Sequence, residues 1–467
     1  MAAYSFETMA DADAAAFTAN DYLFFITKGA TANQVTVAPY SNGSSGSLAG
    51  SGITLTYGGK SLTFNNNVSA ASTAGHILFN DSSHLVIGTQ AADGTIALTG
   101  ATNAAGAFVD PNVVYALGGG DTINGTTSAA GISNYLNGGF GADTINGGAA
   151  NNHIYGNSMT SQAGDTDVNG QRDGGDTITV TSGTNYINGN AGNDTITVGV
   201  GNTAAAGAAS NASNGVNRVF GGADNDTITL LGGGRNTVNG NSGNDIIDGS
   251  NSSGDNSIRG GQGDDIIRGG IGHSTLQGDV GNDVIFVHGR NGETLPTAQG
   301  INTNVQQHIM VMTGGSGSDT FDFTGNNGVT QGGNAGAGQA ALFGQVVYYQ
   351  EITDFTIGTD KIHLTNNPTM LGQVGHSTTI FATVQDAEVY AQSQLGANTG
   401  NQGTPIVEAL AVGSANNTFL FYTETGNVSV TPSEVQNLGI IHLDNVVAAN
   451  VTYTDFNTSA SVGTGTM

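Results

Sequence analysis

The sequence contains no cysteine and no tryptophan, and only nine of its 467 residues are lysine or arginine. Without cysteine, neither a disulfide nor a thiolate metal site can stabilise the fold. The 36 acidic residues give a formal net charge of -27, which excludes a phosphate-binding nucleic-acid surface. We therefore expect no nucleic-acid partner, and cations are the natural ligands of such a chain.

Long apolar segments are also missing. No run of about 18 apolar residues is present, so we expect a protein that does not span a membrane. The first residues, MAAYSFETMADADAAAF, are acidic and have neither the basic nor the apolar part of a secretory signal. If the protein leaves the cell, we expect it to use another route.

Glycine is abundant, with 75 residues, and much of it flanks a repeated aspartate in motifs such as GGFGADTI and GNAGNDTI. A quieter unit, N-x-aliphatic-x-G, alternates with these motifs. From each quieter unit to the next aspartate the step is nine residues, except after Asn152, where the insert is longer. The aspartates are Asp121, Asp143, Asp176, Asp194, Asp226, Asp245, Asp265 and Asp283, and the quieter units begin at Asn134, Asn152, Asn185, Asn217, Asn236, Asn256 and Ser274.

An aliphatic residue follows two positions after each of these aspartates and asparagines, and after Ser274. Side chains two apart on a strand share a face, so the aliphatic residues should stack into a narrow core. A turn and a short strand used twice per circuit predict an all-β parallel β-roll, a form of β-helix or solenoid. The two rows are Ile123, Ile145, Ile178, Ile196, Ile228, Ile247, Ile267 and Ile285, and Leu136, Ile154, Ile187, Val219, Val238, Ile258 and Leu276.

Between Leu117 and Val287 the chain resembles the RTX family, whose nonapeptide GGxGxDxUx builds parallel β-rolls around calcium. GGSGSDTF at Asp319 resembles a detached further copy. The resemblance implies multiple Ca²⁺ ions, each between the aspartate of one coil and the turn of the next, along the row from Asp121 to Asp283 and at Asp319. Calcium accepts six to eight oxygen ligands in irregular geometry, which suits carboxylates and turn carbonyls.

The sequence departs from the family pattern at the opposite edge of the roll, which carries asparagine where the family has aspartate. Asparagine is neutral and can bond to the equivalent side chain above and below it. We therefore predict calcium along one edge and a metal-free ladder of side-chain amides along the other.

The insert before Asp176 reads GDTDVNGQRDGGDTI and fits a second calcium pattern. Asp165, Asp167 and Asn169 occupy positions 1, 3 and 5 of a twelve-residue calcium loop, and Asp173 adds another carboxylate. Flanking helices are not predicted, and position 12 is Asp176, which is in phase with the roll. Two interpretations remain open, namely an extra non-helical calcium site and a simple acidic loop.

The regions outside the repeats are predicted to be rich in strands. We expect an N-terminal β-domain at residues 1–110, with Phe17, Tyr22, Phe24 and Phe25 in its core, a roll at 111–323, and a C-terminal β-rich domain at 324–467. The last region resembles the C-terminal capping and secretion-signal part of RTX exoproteins exported by type I systems. Asp354 and Asp360 match the acids that close the roll in such proteins, and QDAEVYAQSQ at 385–394 could form a short helix.

Catalytic motifs are not found. HExxH and GxSxG are missing, and His76 and His84 have no cysteine or paired carboxylate beside them in sequence. We therefore expect a structural protein and not an enzyme. The resemblance favours a secreted S-layer or extracellular matrix filament whose partner is itself, together with cell-surface polysaccharide or lipopolysaccharide. The alternatives are an adhesin or carbohydrate-binding exoprotein and, less favoured, a hydrolase.

The variant Asp165→Ala separates the two interpretations of the insert. If the loop holds its own ion, the variant binds one calcium ion fewer than the parent, because the first ligand of the site is lost. If the loop is only acidic, the stoichiometry stays the same. Elemental analysis of calcium-saturated, gel-filtered protein measures the number of bound ions directly.

Overall fold

The computed structural model describes most of the chain. The described residues are 1–40, 52–81, 83–98, 112–125, 133–149, 151–157, 172–199, 215–252, 254–270, 274–286, 310–323, 350–364, 374–395, 407–423 and 438–456. The chain forms two compact units, the first with residues 1–203 and 211–245 and the second with residues 204–210 and 246–467.

The first unit begins with a small mixed domain. Its elements are β1 (Ala3–Ser5), α1 (Asp11–Ala15), β2 (Tyr22–Phe25), β3 (Thr36–Tyr40), β4 (Gly52–Tyr57), β5 (Lys60–Phe64), α2 (Asn67–Thr73) and β6 (Ile77–Phe79), with a 3-10 turn at Ala32–Gln34. Strands β1, β2 and β6 form a parallel sheet, and β3, β4 and β5 form an antiparallel one. Phe17 and Phe25 are fully buried as predicted, whereas Tyr22 and Phe24 are half-buried. The two helices were not predicted.

The rest of the first unit is a stack of coils, each contributing one strand to each of two parallel sheets. Even-numbered strands β8 to β18 form one sheet and odd-numbered strands β7 to β19 form the other, in strict sequence order. The strands are β7 (His84–Ile87), β8 (Thr95–Ala97), β9 (Asn112–Tyr115), β10 (Thr122–Asn124), β11 (Ser133–Asn137), β12 (Thr144–Gly148), β13 (Asn151–Tyr155), β14 (Thr177–Val180), β15 (Asn185–Ala191), β16 (Thr195–Val198), β17 (Val216–Ala223), β18 (Thr227–Gly232) and β19 (Arg235–Ser242).

The register of these sheets places equivalent repeat positions side by side. Ile178 lies opposite Ile196, which lies opposite Ile228, and all three side chains are fully buried. Ile187 and Val219 pair in the same way in the other sheet. The aliphatic rows therefore face each other across a thin core, and the predicted all-β parallel roll is confirmed.

The second unit contains further coils followed by a partly antiparallel region. Its elements are β20 (Ile246–Ser252), β21 (Asn256–Gln262), β22 (Ile266–Arg268), β23 (Ser274–Val280), β24 (Val284–Phe286), β25 (Val311–Ser316), β26 (Thr320–Asp322), β27 (Gln350–Ile352), β28 (Lys361–His363), β29 (Val374–Phe381), α3 (Val384–Leu395), β30 (Val407–Val412), β31 (Thr418–Thr423) and β32 (Leu438–Leu443), with 3-10 turns at Ala448–Asn450 and Tyr453–Asp455. The helix expected at 385–394 is present as α3.

Within this unit, one parallel sheet has the order β20, β22, β24, β26, β28. The other runs from β21 through β23, β25 and β27 to β32, after which β31 and β30 are antiparallel and β29 is parallel again. Helix α3 packs on this last part, where Ala387, Ala391 and Leu395 join Leu410 and Phe419 in a core.

The parallel coils extend further along the chain than residues 111–323. Strands β7 and β8 pair in parallel with β9 and β10, so coils begin at His84. At the other end, β28 pairs with β26 and continues them to His363. The early coil was hidden in the sequence because Ile96 follows Asp93 by three residues, one more than in every later coil.

Candidate metal centre

Aspartates form a column along one edge of the coils in each unit, immediately before the strands of the even-numbered sheet. One carboxylate oxygen of each, Oδ1, accepts the backbone N–H of the aspartate one coil earlier. In the first unit these pairs are Asp93 to Asp121 (2.6 Å), Asp121 to Asp143 (2.7 Å), Asp143 to Asp176 (2.8 Å), Asp176 to Asp194 (2.7 Å), Asp194 to Asp226 (2.8 Å) and Asp226 to Asp245 (2.8 Å). In the second they are Asp265 to Asp283 (2.9 Å), Asp283 to Asp319 (2.9 Å) and Asp319 to Asp360 (3.1 Å).

The second carboxylate oxygen, Oδ2, is buried as well. For seven of these aspartates it has no hydrogen-bond partner within the described part of the chain, namely Asp121, Asp143, Asp176, Asp194, Asp226, Asp283 and Asp319. A carboxylate oxygen that is removed from water without a partner costs free energy, and a column of them repels itself. A cation beside each Oδ2 removes both penalties.

The turn that precedes each aspartate brings a second kind of oxygen to the same place. A Cβ atom built on Gly189 would lie 2.0 Å from Oδ2 of Asp194 and 2.4 Å from the carbonyl oxygen of Gly221, one coil later. In the second unit, a Cβ on Gly278 would lie 2.1 Å from Oδ2 of Asp283. A carboxylate and a main-chain carbonyl thus converge on a small space that only glycine leaves open, and both are ligands that calcium prefers.

Side chains alone do not build this site. Over the described ranges, no group of three or more histidine, cysteine, aspartate or glutamate side chains could hold a metal ion. Backbone carbonyls of the turns are available as further ligands, and the turns present them by adopting positive φ. Asn190 (φ 78°) and Gly192 (φ 105°) do so before Asp194, since asparagine tolerates this conformation better than most residues.

The environment of the column raises the pKa of its carboxyl groups. Burial is the largest cause, and it raises the pKa of Asp176 to about 10, of Asp226 to about 9 and of Asp194 to about 8. Charges of neighbouring carboxylates, such as Asp194 beside Asp176, raise the pKa further. In the second unit burial raises the pKa of Asp283 to about 7. Without a cation, the ionised column is disfavoured near neutral pH.

The structure places most of the predicted metal ligands in these columns. Asp165, Asp167 and Asn169 lie outside the described residues, so their role stays a prediction. Asp354 accepts the N–H groups of Gly314 and Gly315, and Asp360 accepts those of Thr356 and Asp319. Both acids close the last coil through backbone donors, and metal binding by them also stays a prediction.

Asp93 is a member of the column that was missed from the sequence. Its backbone N–H donates to Asp121, and its own carboxylate accepts the N–H (2.6 Å) and the hydroxyl (2.7 Å) of Thr89. The signal for this coil is the segment DGTIAL, in which the extra Gly94 displaces the aliphatic position.

The opposite edge carries the amide ladder that the sequence predicted. In the first unit the Nδ2 group of each asparagine donates to Oδ1 of the next, and none of these side chains is more than 4% exposed. The pairs are Asn112 to Asn134 (3.1 Å), Asn134 to Asn152 (3.0 Å), Asn152 to Asn185 (2.7 Å), Asn185 to Asn217 (2.8 Å) and Asn217 to Asn236 (2.8 Å). The ladder is confirmed there, and its freedom from metal stays a prediction.

The two histidines considered as a transition-metal pair have other contacts. Nδ1 of His76 lies 3.0 Å from the carbonyl oxygen of Ala19, and its ring packs on Tyr22. His84 lines a surface cavity with Ser72 and Asp93.

Comparison with known families agrees with this geometry. The family model of the RTX calcium-binding nonapeptide repeat (4 copies) matches residues 130–158, 172–203, 211–233, 230–252 and 250–285. These segments are RTX calcium-binding nonapeptide repeats. RTX nonapeptide repeats bind multiple Ca²⁺ ions, and the unpartnered Oδ2 atoms and converging carbonyls described above fit that cation. A search of curated proteins found no match to the sequence.

RTX proteins are usually secreted. Across the residues that the structure describes, no helix is both long enough and apolar enough to cross a membrane.

The raised pKa values predict how metal-free protein responds to pH. A carboxyl group whose pKa is higher in the folded state stabilises that state below the unfolded pKa of about 4, and this contribution is lost as the pH rises through the folded values. Metal-free protein should therefore melt at a lower temperature at pH 8.5 than at pH 5.5. Saturating calcium should raise the melting temperature most at pH 8.5 and remove most of the difference between the two pH values, because calcium-bound carboxylates are ionised at both and folding then changes their protonation little.

Circular-dichroism melts of calcium-free and calcium-saturated protein at the two pH values test this expectation. Both values lie above the isoelectric point of about 4.1, which limits precipitation. A calcium-free sample at pH 8.5 that kept the spectrum and melting temperature of the calcium-loaded one would show that the aspartate columns do not need the ion.

The amide ladder predicts a loss of stability without a loss of calcium. Asn185→Ala removes the partner of Asn152 and of Asn217 at a buried position, which should cost about 1–3 kcal/mol in the free energy of unfolding of calcium-loaded protein. The control is Thr237→Ala, an exposed residue of β19 on the same sheet, whose effect should stay within about 0.5 kcal/mol. Denaturant titration measures both.

The number of bound calcium ions should be the same in parent, Asn185→Ala and Thr237→Ala. If Asn185→Ala alone bound fewer ions, the asparagine edge would be a second metal row.

Proposed function

We propose that this protein is a secreted, calcium-dependent structural protein that assembles with copies of itself into an S-layer or an extracellular matrix filament. The observation that carries this proposal is the length of chain devoted to coils whose acidic edge needs cations, from β7 to β19 in the first unit and from β20 to β28 in the second. Such coils become stiff when ions fill the columns.

The surface of the first unit supports repeated contacts. On the outer face of the even-numbered sheet, Thr144, Thr177, Thr195 and Thr227 form one in-register column, and Thr179, Thr197 and Thr229 form a second. These side chains are exposed or half-buried and carry no charge. A flat, uncharged and regular face can pack against a neighbouring copy, and contacts that do not close into a ring generate sheets or filaments.

Charge supports the same proposal. A chain with a net charge of -27 repels its own copies, and this repulsion opposes a lattice. Each bound calcium ion adds two positive charges inside the coils. The same calcium ions therefore stabilise the subunit and lower the electrostatic repulsion between subunits.

A type I system is the proposed route of export. The region after Asp319, which resembles the C-terminal part of type I exoproteins, would carry the uncleaved signal. In the calcium-poor cytoplasm the coils would remain unfolded, and extracellular calcium would fold them after export. Cell-surface polysaccharide or lipopolysaccharide is the proposed anchor.

An adhesin or carbohydrate-binding exoprotein is the second candidate. A row of half-buried rings lies on the outer face of the odd-numbered sheet of the first unit, where Tyr135 and His153 stack at 4.7 Å and Tyr186 and Phe220 lie 5.5 Å apart. Aromatic rings with polar edges suit recognition surfaces. A hydrolase has no comparable observation in its favour.

Electron microscopy of the full-length protein with and without calcium tests the proposal. Ordered sheets or fibres are expected with calcium and none after chelation, and magnesium is the control for ionic strength and charge. Replacing a threonine of the exposed face, as in Thr197→Arg, should prevent assembly but leave the number of bound calcium ions unchanged, because the side chain points away from the columns. Thr237→Arg on the other sheet is the matched control.

Soluble monomers in both conditions would overturn the assembly proposal. Binding to immobilised polysaccharide and to lipopolysaccharide would then support the adhesin. Sheets or fibres that survive chelation would contradict the dependence on calcium.

A further inference from the structure

The turn between β13 and β14 is built from two separate pieces of chain. In a neighbouring coil, the turn runs without interruption from Gly189 to Asp194. Here Gly156 takes the first place, since a Cβ on it would lie 2.0 Å from Oδ2 of Asp176 and 2.1 Å from the carbonyl oxygen of Gly189. Asn157 takes the second place, because its N–H donates to the side chain of Asn190, the second residue of the next turn, over 3.2 Å.

The second half of this turn follows the insert. Gly174 donates to the carbonyl oxygen of Gly141 over 3.0 Å, and both residues stand two positions before the aspartate of their coil. Asp176 then donates to Oδ1 of Asp194 like every other member of the column. The residues between Asn157 and Asp173 are therefore inserted inside a calcium turn, and the turn itself is conserved in geometry.

This arrangement puts Asp173 in the third place of the turn. Its Oδ2 accepts the N–H of Ala191, the residue in the third place of the next coil, over 3.3 Å. Its other oxygen, Oδ1, is buried and makes no hydrogen bond of good geometry in the described segments, and the side chain of Asn157 and the backbone of Gly174 lie close to the same carboxylate. In the other turns of the first unit the third place never carries an acid. The residues there are Gln90, Gly118, Phe140, Ala191, Ala223 and Ser242.

The same turn holds a second unpartnered carboxylate oxygen. Asp176 is 1% exposed, and its Oδ2 points with the carbonyl oxygen of Gly189 at the space beside Gly156. The split turn therefore offers two buried carboxylate oxygens without a hydrogen-bond partner, whereas the uninterrupted turn before Asp194 offers one. More carboxylate ligands raise the affinity of a calcium site, and two neighbouring carboxylates need a cation more than one does.

We propose that Asp173 is an additional calcium ligand of the column, and that the ion held with Asp176 is the one bound most tightly. This ion fills first as calcium rises, and it joins the two ends of the insert. The inference depends on calcium binding by the repeats and is independent of the proposed assembly, which is measured by microscopy and not by ion affinity.

Calcium titration of the metal-free full-length protein against a chromophoric chelator tests the assignment. Asp173→Asn keeps the shape of the side chain but removes its charge, and it should weaken the tightest class of sites about tenfold or more. The matched control is Asp224→Asn, which removes one charge from an exposed position of the turn before Asp226. Asn tolerates the positive φ of 77° there. The control should change the same affinity less than about threefold.

A second measurement distinguishes weaker calcium binding from a failure of the variant to fold. Circular dichroism at increasing calcium should show that Asp173→Asn reaches the full parental spectrum at saturation but needs more calcium to reach half of the change. Asp165→Ala, in the middle of the insert, should leave the tightest class unchanged if Asp173 acts in the column.

Three results would overturn the inference. Asp173→Asn could leave the tightest class unchanged. Asp224→Asn could weaken the tightest class of sites as much as Asp173→Asn does, which would show that only the loss of one negative charge matters. Asp165→Ala could weaken it as much as Asp173→Asn, which would place the tight ion in the insert.

Discussion

The stability of the coils depends on the aspartate carboxylates of the columns, whose two oxygens lie in different environments. Oδ1 of each aspartate accepts a backbone N–H from the previous coil, and this bond sets the spacing of the column. Oδ2 is buried among other oxygens and can be stabilised only by a proton or a cation. A thin core of two aliphatic rows buries little apolar surface per coil, so it stabilises the coils only weakly. Calcium binding at the turns therefore supplies a large part of the stability of the coils.

The contrast between the two edges follows from the chemistry of the side chains. An amide both donates and accepts, so Asn152, Asn185 and Asn217 satisfy one another through successive coils. An ionised carboxylate only accepts, so a stack of aspartates cannot satisfy itself. The amide edge satisfies its own side chains, whereas the aspartate edge leaves buried oxygens that a cation would satisfy. This asymmetry is the basis for expecting that the shape of the coils responds to calcium.

Much of the fold could be predicted because a parallel coil repeats its register. Once Ile178 and Ile196 stand two residues after an aspartate, stacking places them side by side, and the same holds for the asparagine edge. The coil at Asp93 was not predicted from the sequence because one extra residue, Gly94, shifts Ile96 out of phase with the repeat. Helices α1 (DADAA) and α2 (NVSAAST) were missed because such short segments carry little helical periodicity, and packing in the small N-terminal domain decides them.

The sequence by itself determined the phased repeat, the identity of the acidic and amide edges, and the need for a hard cation, because these follow from residue type and spacing alone. It left the insert before Asp176 with two local interpretations. Only the tertiary structure showed that Gly156 and Asp176 belong to one turn and that Asp173 stands inside it. The reason is that this proximity is created by stacking against the coils on either side, and no pattern within the insert records it.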